Sequence, residues 1–440
     1  MSQVLEKTED LVRKAKALGA DEVIAKTTFG RYRQTRFSNN QVDITVGWDT
    51  YTTDVALSWK KRVVGTQIAD FTDSEKSIEQ LINLAKVSKE NPLFGGVAHG
   101  EFTYGKIDAD KEVISIEKPT EYIQTAISAA EDAAGDKVDS GGILFAKYED
   151  VYLVSSEGPV GRDARSAIQF SIRAFLEREA SGHGVSCSST LRDFKPSEAG
   201  RKAGEIARLA RNPKVGEEGV YDIVFDPLIF GSMLNTWADM TSAFNVMIHR
   251  SIFANELGKN VASEIVTLRD VPAKYSISNR LFDDEGVPTR ENVMIDHGIL
   301  KTYLHNTSTA KLFKTETTGN AGLIVPTWWN VEMDPGKMTR GDLLGALKRG
   351  IYLTNTWYTR FQNYVTGDFS TIPRDGAFLV ENGEIKQSLK EIRLSDNASR
   401  ILQNVAGISR ERQHVQWWGE SGPCLSPYVL VKDVHITRPR

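Results

Sequence analysis

Hydrophobic positions recur near helical spacing over the first eighteen residues, and Gly19 stands where a helix is expected to stop. The period then changes to alternation over 21–71, where turn signals at 38–40 and around 48–49 predict three or four antiparallel strands. A further helix is expected at 73–89, with Asp73 or Ser74 as its N-cap. The segment 90–116 is rich in Gly, Pro and polar residues and is expected to be a linker.

A second unit begins with an amphipathic pattern that predicts a helix over 118–135. Alternating stretches follow at 141–158 and 166–179, which favour half-buried antiparallel strands, and a helix is expected over 196–211. We therefore expect a compact unit in which helices cover an antiparallel sheet.

The third and largest unit is mostly strand-like. It opens with the apolar run "VYDIVFDPLIF", which predicts a buried strand leading into a helix, and a second helix is expected over "RGDLLGALKRGIYL", 340–353. The stretches 294–304 ("MIDHGILKTYL") and 379–389 ("LVENGEIKQSL") each read as strand, tight Gly turn and strand, which predicts two hairpins of one sheet.

These patterns predict an α+β fold rather than a doubly wound α/β fold. We expect an N-terminal domain of helix and antiparallel sheet at 1–100, a middle α+β domain at 116–213, and a larger, mainly antiparallel β domain at 219–440. A chain of 440 residues is long enough for roughly three domains of about 150 residues.

Composition narrows the class of partner. The chain is 40% hydrophobic and 25% charged with a formal net charge of −4, which is typical of a globular protein and gives no field that favours nucleic acid. No stretch approaches the roughly 20 apolar residues that span a bilayer, and the charged N-terminus lacks a signal-peptide core. With only Cys187 and Cys424, the sequence predicts a cytoplasmic protein without a disulfide framework.

A search for metal-binding and nucleophilic motifs finds little. None of the seven histidines is followed by Glu, and no two are four or five residues apart, so a zincin-type helix is absent. His183 and Cys187 have a ligand-like spacing without a second pair, and His297 with His305 straddles a predicted turn. We interpret these residues, and Cys424, as structural. The tryptophan pairs 328–329 and 417–418 are interpreted as core or as an aromatic contact surface.

Longer blocks of the third unit carry a resemblance. The stretches "LFDDEGVPTRENVMIDHGILKTYLHNTSTAKLF", "TTGNAG" and "VTGDFSTIPRDGAFLVENGEIKQSLKEIRLSDN" closely resemble the C-terminal domain of the TldD/PmbA family. They occur in the family's order, and "RQTRFSNNQVD" with the strands after it is similar to the family's N-terminal domain. The resemblance is weakest over 90–215.

The resemblance implies two kinds of subunit. TldD-like chains are zinc peptidases with a His-Glu-x-x-x-His helix and a Cys ligand near the C-terminus, whereas TldE/PmbA-like chains lack these ligands and pair with them around a peptide. The motif helix is similar to "LNTWADM", with Asn235 and Met240 in place of the two histidines and Thr236 in place of the Glu. The region similar to the Cys-bearing segment, "RERQHVQWW", contains no Cys.

The resemblance therefore implies a TldE/PmbA-type subunit with no catalytic residue, metal ligand or cofactor of its own, and with zinc in a TldD-like catalytic partner. Its substrate would be an unfolded or extended peptide, paired through main-chain groups. We expect Asn235, Trp237 and Asp239 to line the peptide-binding wall, although Trp237 could instead anchor the helix in the core.

Two alternatives stay open. The chain could be an active hydrolase with an unrecognised metal site, for example a cluster of His249, Asp296 and His297. It could also be a homo-oligomeric peptide-binding scaffold, since a homodimer can form when the chain is isolated.

Overall fold

The computed structural model describes residues 3–69, 71–272, 275–357, 359–417 and 421–438. The helices in these ranges are α1 (Gln3–Ala17), α2 (Ser74–Val87), α3 (Pro119–Ala134), α4 (Pro196–Leu209), α5 (Pro227–Met240), α6 (Ala243–Met247), α7 (Thr307–Phe313), α8 (Arg340–Gly345) and α9 (Ala398–Gln403). The strands of the first half are β1 (Glu22–Ser38), β2 (Gln41–Trp59), β3 (Arg62–Ile68), β4 (Asp139–Ser155), β5 (Val160–Glu177) and β6 (Ala180–Ser188). The remaining strands are β7 (Lys214–Val215), β8 (Gly219–Phe225), β9 (Leu268–Asp270), β10 (Asn292–Asp296), β11 (Ile299–Leu300), β12 (Val331–Met333), β13 (Arg349–Thr356), β14 (Arg360–Asn363), β15 (Asp368–Thr371), β16 (Pro373–Glu381), β17 (Glu384–Lys390), β18 (Arg393–Asn397), β19 (Val405–Val415) and β20 (Cys424–Thr437).

The strands of the first two predicted units form one antiparallel sheet. Its order is β3-β2-β1-β4-β5-β6, and β1 pairs with β4 from Ile24 opposite Ser155 to Phe37 opposite Gly142. Each half of the sheet has its own apolar cluster, formed with α1 and α2 in one half and with α3 and α4 in the other. The predicted helices at 73–89, 118–135 and 196–211 are confirmed to within two residues.

Helix α4 is held very close to its neighbours by small residues. A Cβ added at Gly200 or Gly204 would overlap the carbonyl oxygens of Ala126 and Ala130 on α3. On the other side of α4, the backbone of β6 approaches equally closely at Gly182. Because protein interiors are close-packed, these glycines allow two helices and a strand to lie together without voids.

The C-terminal unit is a larger, mixed sheet. Within the described ranges its strands run in the order β11-β10-β9-β12-β20-β8-β13-β16-β17-β7, and β14, β15, β18 and β19 join it off this path. Both predicted hairpins are confirmed, as β10–β11 and β16–β17. Their turns have positive φ at His297 and Gly298, and at Asn382 and Gly383, as two-residue turns of type I′ require.

One predicted element is wrong in its second half. The helix expected over 340–353 ends at Gly345, and β13 begins at Arg349 as a central strand between β8 and β16. All six residues of β13 that follow Gly350 are buried. Burial on both faces of the sheet therefore overrides the local helical pattern. The predicted α+β class is confirmed, whereas the domain bounds stay a prediction. In the part of the chain that is described, no helix is long and apolar enough to cross a membrane.

Candidate functional site

Helix α5 begins directly after strand β8, whose last three residues are buried, and Asp226 forms the N-cap of the helix. The Asp226 carboxylate, which is 0% exposed, accepts a hydrogen bond from the Leu228 backbone N–H at 3.1 Å. It also accepts from the Lys202 ammonium at 2.6 Å and the Tyr352 hydroxyl at 2.7 Å. Burial would lower the pKa of Lys202, but the Asp226 charge raises it above its usual value. This network fixes the start of α5 against α4 and β13.

The three positions of α5 that resemble the zinc motif make contacts within the chain. The Asn235 amide, 2% exposed, donates to the Gly422 carbonyl at 2.9 Å. The Thr236 hydroxyl donates to the carbonyl of Ser232 at 3.1 Å, one turn earlier in the helix. Met240 is 1% exposed and belongs to the main apolar cluster.

These residues do not fit a zinc ion. Structural and catalytic zinc sites use imidazole, thiolate and carboxylate donors, whereas Asn235, Thr236 and Met240 offer an amide, a hydroxyl and a thioether. Thr236 also has no carboxylate that could accept a proton from a bound water. We therefore assign no chemical step through zinc to this helix.

The alternative cluster of His249, Asp296 and His297 does not form. Among the described residues, no three or more His, Cys, Asp or Glu side chains are grouped so that they could hold a metal. His249 and His297 are exposed, and the Nδ1 atom of His297 lies 3.3 Å from the carbonyl oxygen of Glu264.

The other two predicted wall residues differ in exposure. Trp237 is 1% exposed and meets Phe230 edge to face, with ring centroids 5.5 Å apart. Its indole N–H has no hydrogen-bond partner in the described part of the chain. Asp239 is exposed near the C-terminal end of α5. The assignment of Asn235, Trp237 and Asp239 to a peptide-binding wall stays a prediction.

The segment similar to the Cys-bearing region forms the end of β19. It pairs with β20, where Val415 lies opposite Cys424. A Cβ at Gly231 of α5 would lie 2.7 Å from the Cys424 sulfur, so β20 packs directly on α5. Burial lowers the pKa of His414, next to Val415, to about 4. The segment similar to the Cys-bearing region is therefore part of the close packing between α5, β19 and β20.

His183 and Cys187 are buried and form hydrogen bonds within the chain. Asn355 donates to His183 Nδ1 at 3.0 Å, and His183 Nε2 donates to the Ser171 hydroxyl at 2.8 Å. Burial lowers the pKa of His183 to about 4 and raises that of Cys187 to about 12. The Cys187 thiol donates to the Gln416 carbonyl at 3.0 Å, so both residues join β6 to the C-terminal unit.

The described tryptophans of the two predicted pairs are buried. Trp328, Trp329 and Trp417 are 8%, 6% and 7% exposed, and the Arg280 guanidinium lies 3.5 Å from the Trp329 ring centroid. Trp418, the second member of its pair, lies outside the described residues. The described members are therefore core residues in this chain.

Sequence reasoning missed the Asp226 network and a second polar interior under the blocks that carry the resemblance. Asp283 accepts hydrogen bonds from the backbone N–H groups of Glu285, Val287 and Ala321. Asn320 donates to the Asp270 carboxylate at 2.6 Å. One signal in the sequence could have predicted the Asp226 N-cap. Asp226 is followed by Pro, which is the usual order of an N-cap and a first helical residue.

An open strand edge lies beside α5. Strand β14 pairs with β15 and, within the described ranges, with no other strand. Phe361 of β14 lines a small apolar pocket together with Thr236 and Trp237 of α5. The free side of β14 could pair with an added strand.

Comparisons with known proteins agree with this architecture. The model of the PmbA/TldA metallopeptidase C-terminal domain matches residues 218–438, and that of the central domain matches 110–211. A metalloprotease of Methanocaldococcus jannaschii is 32% identical over 379 residues, 79% of this chain and 81% of that protein. A metalloprotease TldD homolog of Buchnera aphidicola is 27% identical over 345 residues, 73% of this chain and 71% of that protein.

The crystal structure of TldE from Thermococcus kodakarensis has the same fold. It superposes with a TM-score of 0.86 at 20% identity and covers 98% of this chain and 100% of that one. The family model of the C-terminal domain covers half of the chain, and the relatives that match at higher identity are named metalloproteases. The chain therefore belongs to the TldD/PmbA metallopeptidase family.

Proposed function

We propose that this chain is the non-catalytic, TldE/PmbA-type subunit of a heterodimeric zinc metallopeptidase that acts on unfolded or extended peptides. In this proposal a TldD-like partner holds the zinc, and this chain contributes one wall of the peptide-binding cleft. The wall is built from α5 and the adjacent strand edge, and the working form is in the cytoplasm.

The chemistry of α5 is the observation that carries the proposal. Asn235 and Met240 stand where the resemblance places histidine ligands, and both are buried in contacts with their own chain. Thr236 stands in place of the general base and is bonded to its own helix. A catalytic zinc helix needs these three side chains to face an open cleft.

Strand β14 supports the substrate class. An extended peptide can add to an open edge through main-chain hydrogen bonds, which recognise any sequence. Because Phe361 of β14 contacts the same pocket as Thr236 and Trp237, a peptide on this edge would lie beside α5. A partner zinc facing this edge would then meet the peptide backbone.

The decisive experiment compares this chain alone with a mixture containing a TldD-like chain. Metal content is measured by mass spectrometry, and cleavage is measured with an unfolded, fluorescence-quenched peptide. We expect no stoichiometric zinc and no cleavage for the chain alone, and cleavage by the mixture with an equimolar complex on gel filtration. One tightly held zinc per isolated chain, together with hydrolysis, would overturn the proposal.

A rebuilt motif provides a second test. The triple variant Asn235→His, Thr236→Glu, Met240→His should not hydrolyse peptides alone, because the Cys ligand and the groups that orient ligands are also missing. Robust cleavage by this variant would show that the rest of a catalytic site is already present. The relatives are named metalloproteases, and the assay of the unmodified chain alone decides whether this chain is itself active.

A further inference from the structure

A cavity of about 100 Å³ lies between the first sheet and the C-terminal unit, away from the motif positions of α5. Its lining is mostly apolar and includes Ile24 of β1, Phe94, and Phe244 with Met247 of α6. Leu93, Ile324 and Val325 also line it, and they are 44%, 58% and 37% exposed. The cavity is therefore open to solvent at an apolar mouth.

The same cavity is lined by two carboxylates, Glu22 and Glu285, of which Glu285 is only 4% exposed. Glu285 accepts from the Thr307 backbone N–H at 3.2 Å, and Glu22 accepts from the Ser58 hydroxyl at 2.7 Å. Burial, with a smaller contribution from the Glu22 charge, raises the pKa of Glu285 to about 7. At pH 8, above this pKa, Glu285 carries its negative charge.

The buried Glu285 carboxylate has no cation as a direct partner within the described part of the chain. Its neighbour Asp283 is a second buried acid, whereas Glu22 is half-buried. The nearby Lys311 ammonium donates to the Gly95 carbonyl and lies on the Glu22 side of the cavity, next to Gly96. Buried carboxylates are usually paired with a cation, so the part of this apolar cavity next to Glu285 lacks a positive charge.

We propose that this cavity binds a primary alkylammonium group, such as the side chain of a lysine. The apolar lining accommodates the methylene stem, and Glu22 and Glu285 accept hydrogen bonds from the ammonium. The size fits a single side chain, since a dry cavity of about 150 Å³ holds one benzene molecule. A hard divalent cation is disfavoured, because it would require about six oxygen ligands where the cavity offers two carboxylates and apolar walls.

The test uses the isolated full chain at pH 8 and is independent of zinc and of any partner. Binding of Nα-acetyl-lysine-N-methylamide is measured by NMR titration, with the norleucine analogue as an isostere that lacks the ammonium. We expect a dissociation constant on the order of 1 mM for the lysine compound and at least about tenfold weaker binding of norleucine. Pentylamine, as a free amine, should bind like the lysine compound if the alkylammonium alone is recognised, whereas stronger binding of the lysine compound indicates a peptide residue.

Variants locate the site. Glu285→Gln should weaken lysine binding at least about tenfold, because it removes the charge next to the ammonium. Val325→Trp, at the exposed mouth, should block the cavity without disturbing the core. Glu316→Gln, an exposed acid that does not line the cavity, should leave affinity unchanged. If Glu285→Gln fails to fold, Glu22→Gln serves in its place.

Three results would overturn the proposal. The first is equal binding of the lysine and norleucine compounds, and the second is unchanged affinity in a folded Glu285→Gln or Glu22→Gln variant. The third is displacement of the lysine compound by Mg²⁺ or Ca²⁺ at equal concentration, since this would identify a metal site instead.

Discussion

The buried network at the start of α5 makes the sharpest prediction about stability. Asp226 is fully buried and accepts three hydrogen bonds, from Lys202, Tyr352 and the Leu228 backbone. The Lys202 side chain is 17% exposed and also donates to Gln413 at 3.0 Å. Replacing Asp226 by Asn keeps the shape and an oxygen that can cap the helix, but it leaves the Lys202 charge without its counter-ion.

Removing one partner of a buried ion pair costs about 3–5 kcal/mol. We expect Asp226→Asn to lower the free energy of unfolding by about 3 kcal/mol, the lower end of this range, because Lys202 keeps some contact with water. Such a loss is large against the total of about 5–15 kcal/mol that is typical of a folded domain. Urea unfolding, followed by far-UV circular dichroism and by tryptophan fluorescence, measures it.

A double variant separates the charge from the packing. In a Lys202→Met background no buried ammonium remains, so Asp226→Asn should cost at least about 1.5 kcal/mol less than in the wild type. Lys195→Met, whose exposed ammonium lies 3.8 Å from exposed Glu198, is the matched control and should change stability by less than about 0.5 kcal/mol. A cost below about 1 kcal/mol for Asp226→Asn, or an equal cost in both backgrounds, would refute this reasoning.

Three further predictions concern packing and pH. Trp237→Ala should lower the free energy of unfolding by about 3–5 kcal/mol, and Trp237→Phe by much less, because the indole N–H has no partner to lose in the described ranges. Unchanged stability of Trp237→Ala together with weaker peptide binding would instead identify Trp237 as a residue of the peptide-binding wall. Gly204→Ala should destabilise the chain because its Cβ would overlap Ala130, whereas Gly345→Ala, in open space, should be neutral or stabilising by up to about 1 kcal/mol. Thermal unfolding compares the two variants, and equal changes in melting temperature would contradict the packing argument. The pKa of His183 falls from 6.5 to about 4 on burial, so its contribution to stability is present above pH 6.5 and is lost as the pH falls towards 4. Relative to His183→Gln, the wild type should lose up to about 3 kcal/mol of unfolding free energy over this interval in urea unfolding, and parallel pH profiles of the two proteins would argue against it.

Local signals predicted the helices and hairpins well because they depend on nearby residues. The 294–304 and 379–389 stretches each place a residue that tolerates positive φ before a Gly, and both turns have that geometry. The helix at 340–353 failed where the signal was not local. Its second half becomes β13, which lies between β8 and β16. Strand β8 is more than 100 positions away in the sequence, so a local pattern cannot predict this pairing.

For the same reason, the sequence could not predict that the strands of the first two units form one sheet. Alternation in β1 and β4 predicts strands, but nothing within either strand specifies that Ile24 lies opposite Ser155. Such pairing is selected by how both faces of the sheet are buried and by the helices that cover it. The sequence therefore predicted the elements of the first two units but not their hydrogen-bonded union.

The candidate site shows why resemblance predicts a fold more securely than an activity. The long blocks that resemble the family contain Asp283 and Asn320, whose side chains bind buried backbone and carboxylate groups of their own chain. These contacts are needed to build the C-terminal unit whether or not it holds zinc. In our proposal, zinc-dependent activity depends instead on the motif positions of α5 and on a Cys ligand, and Asn235, Thr236 and Met240 do not offer the donors of a zinc site. A chain can thus keep the interior that shapes the cleft while the reaction itself depends on groups supplied by a partner.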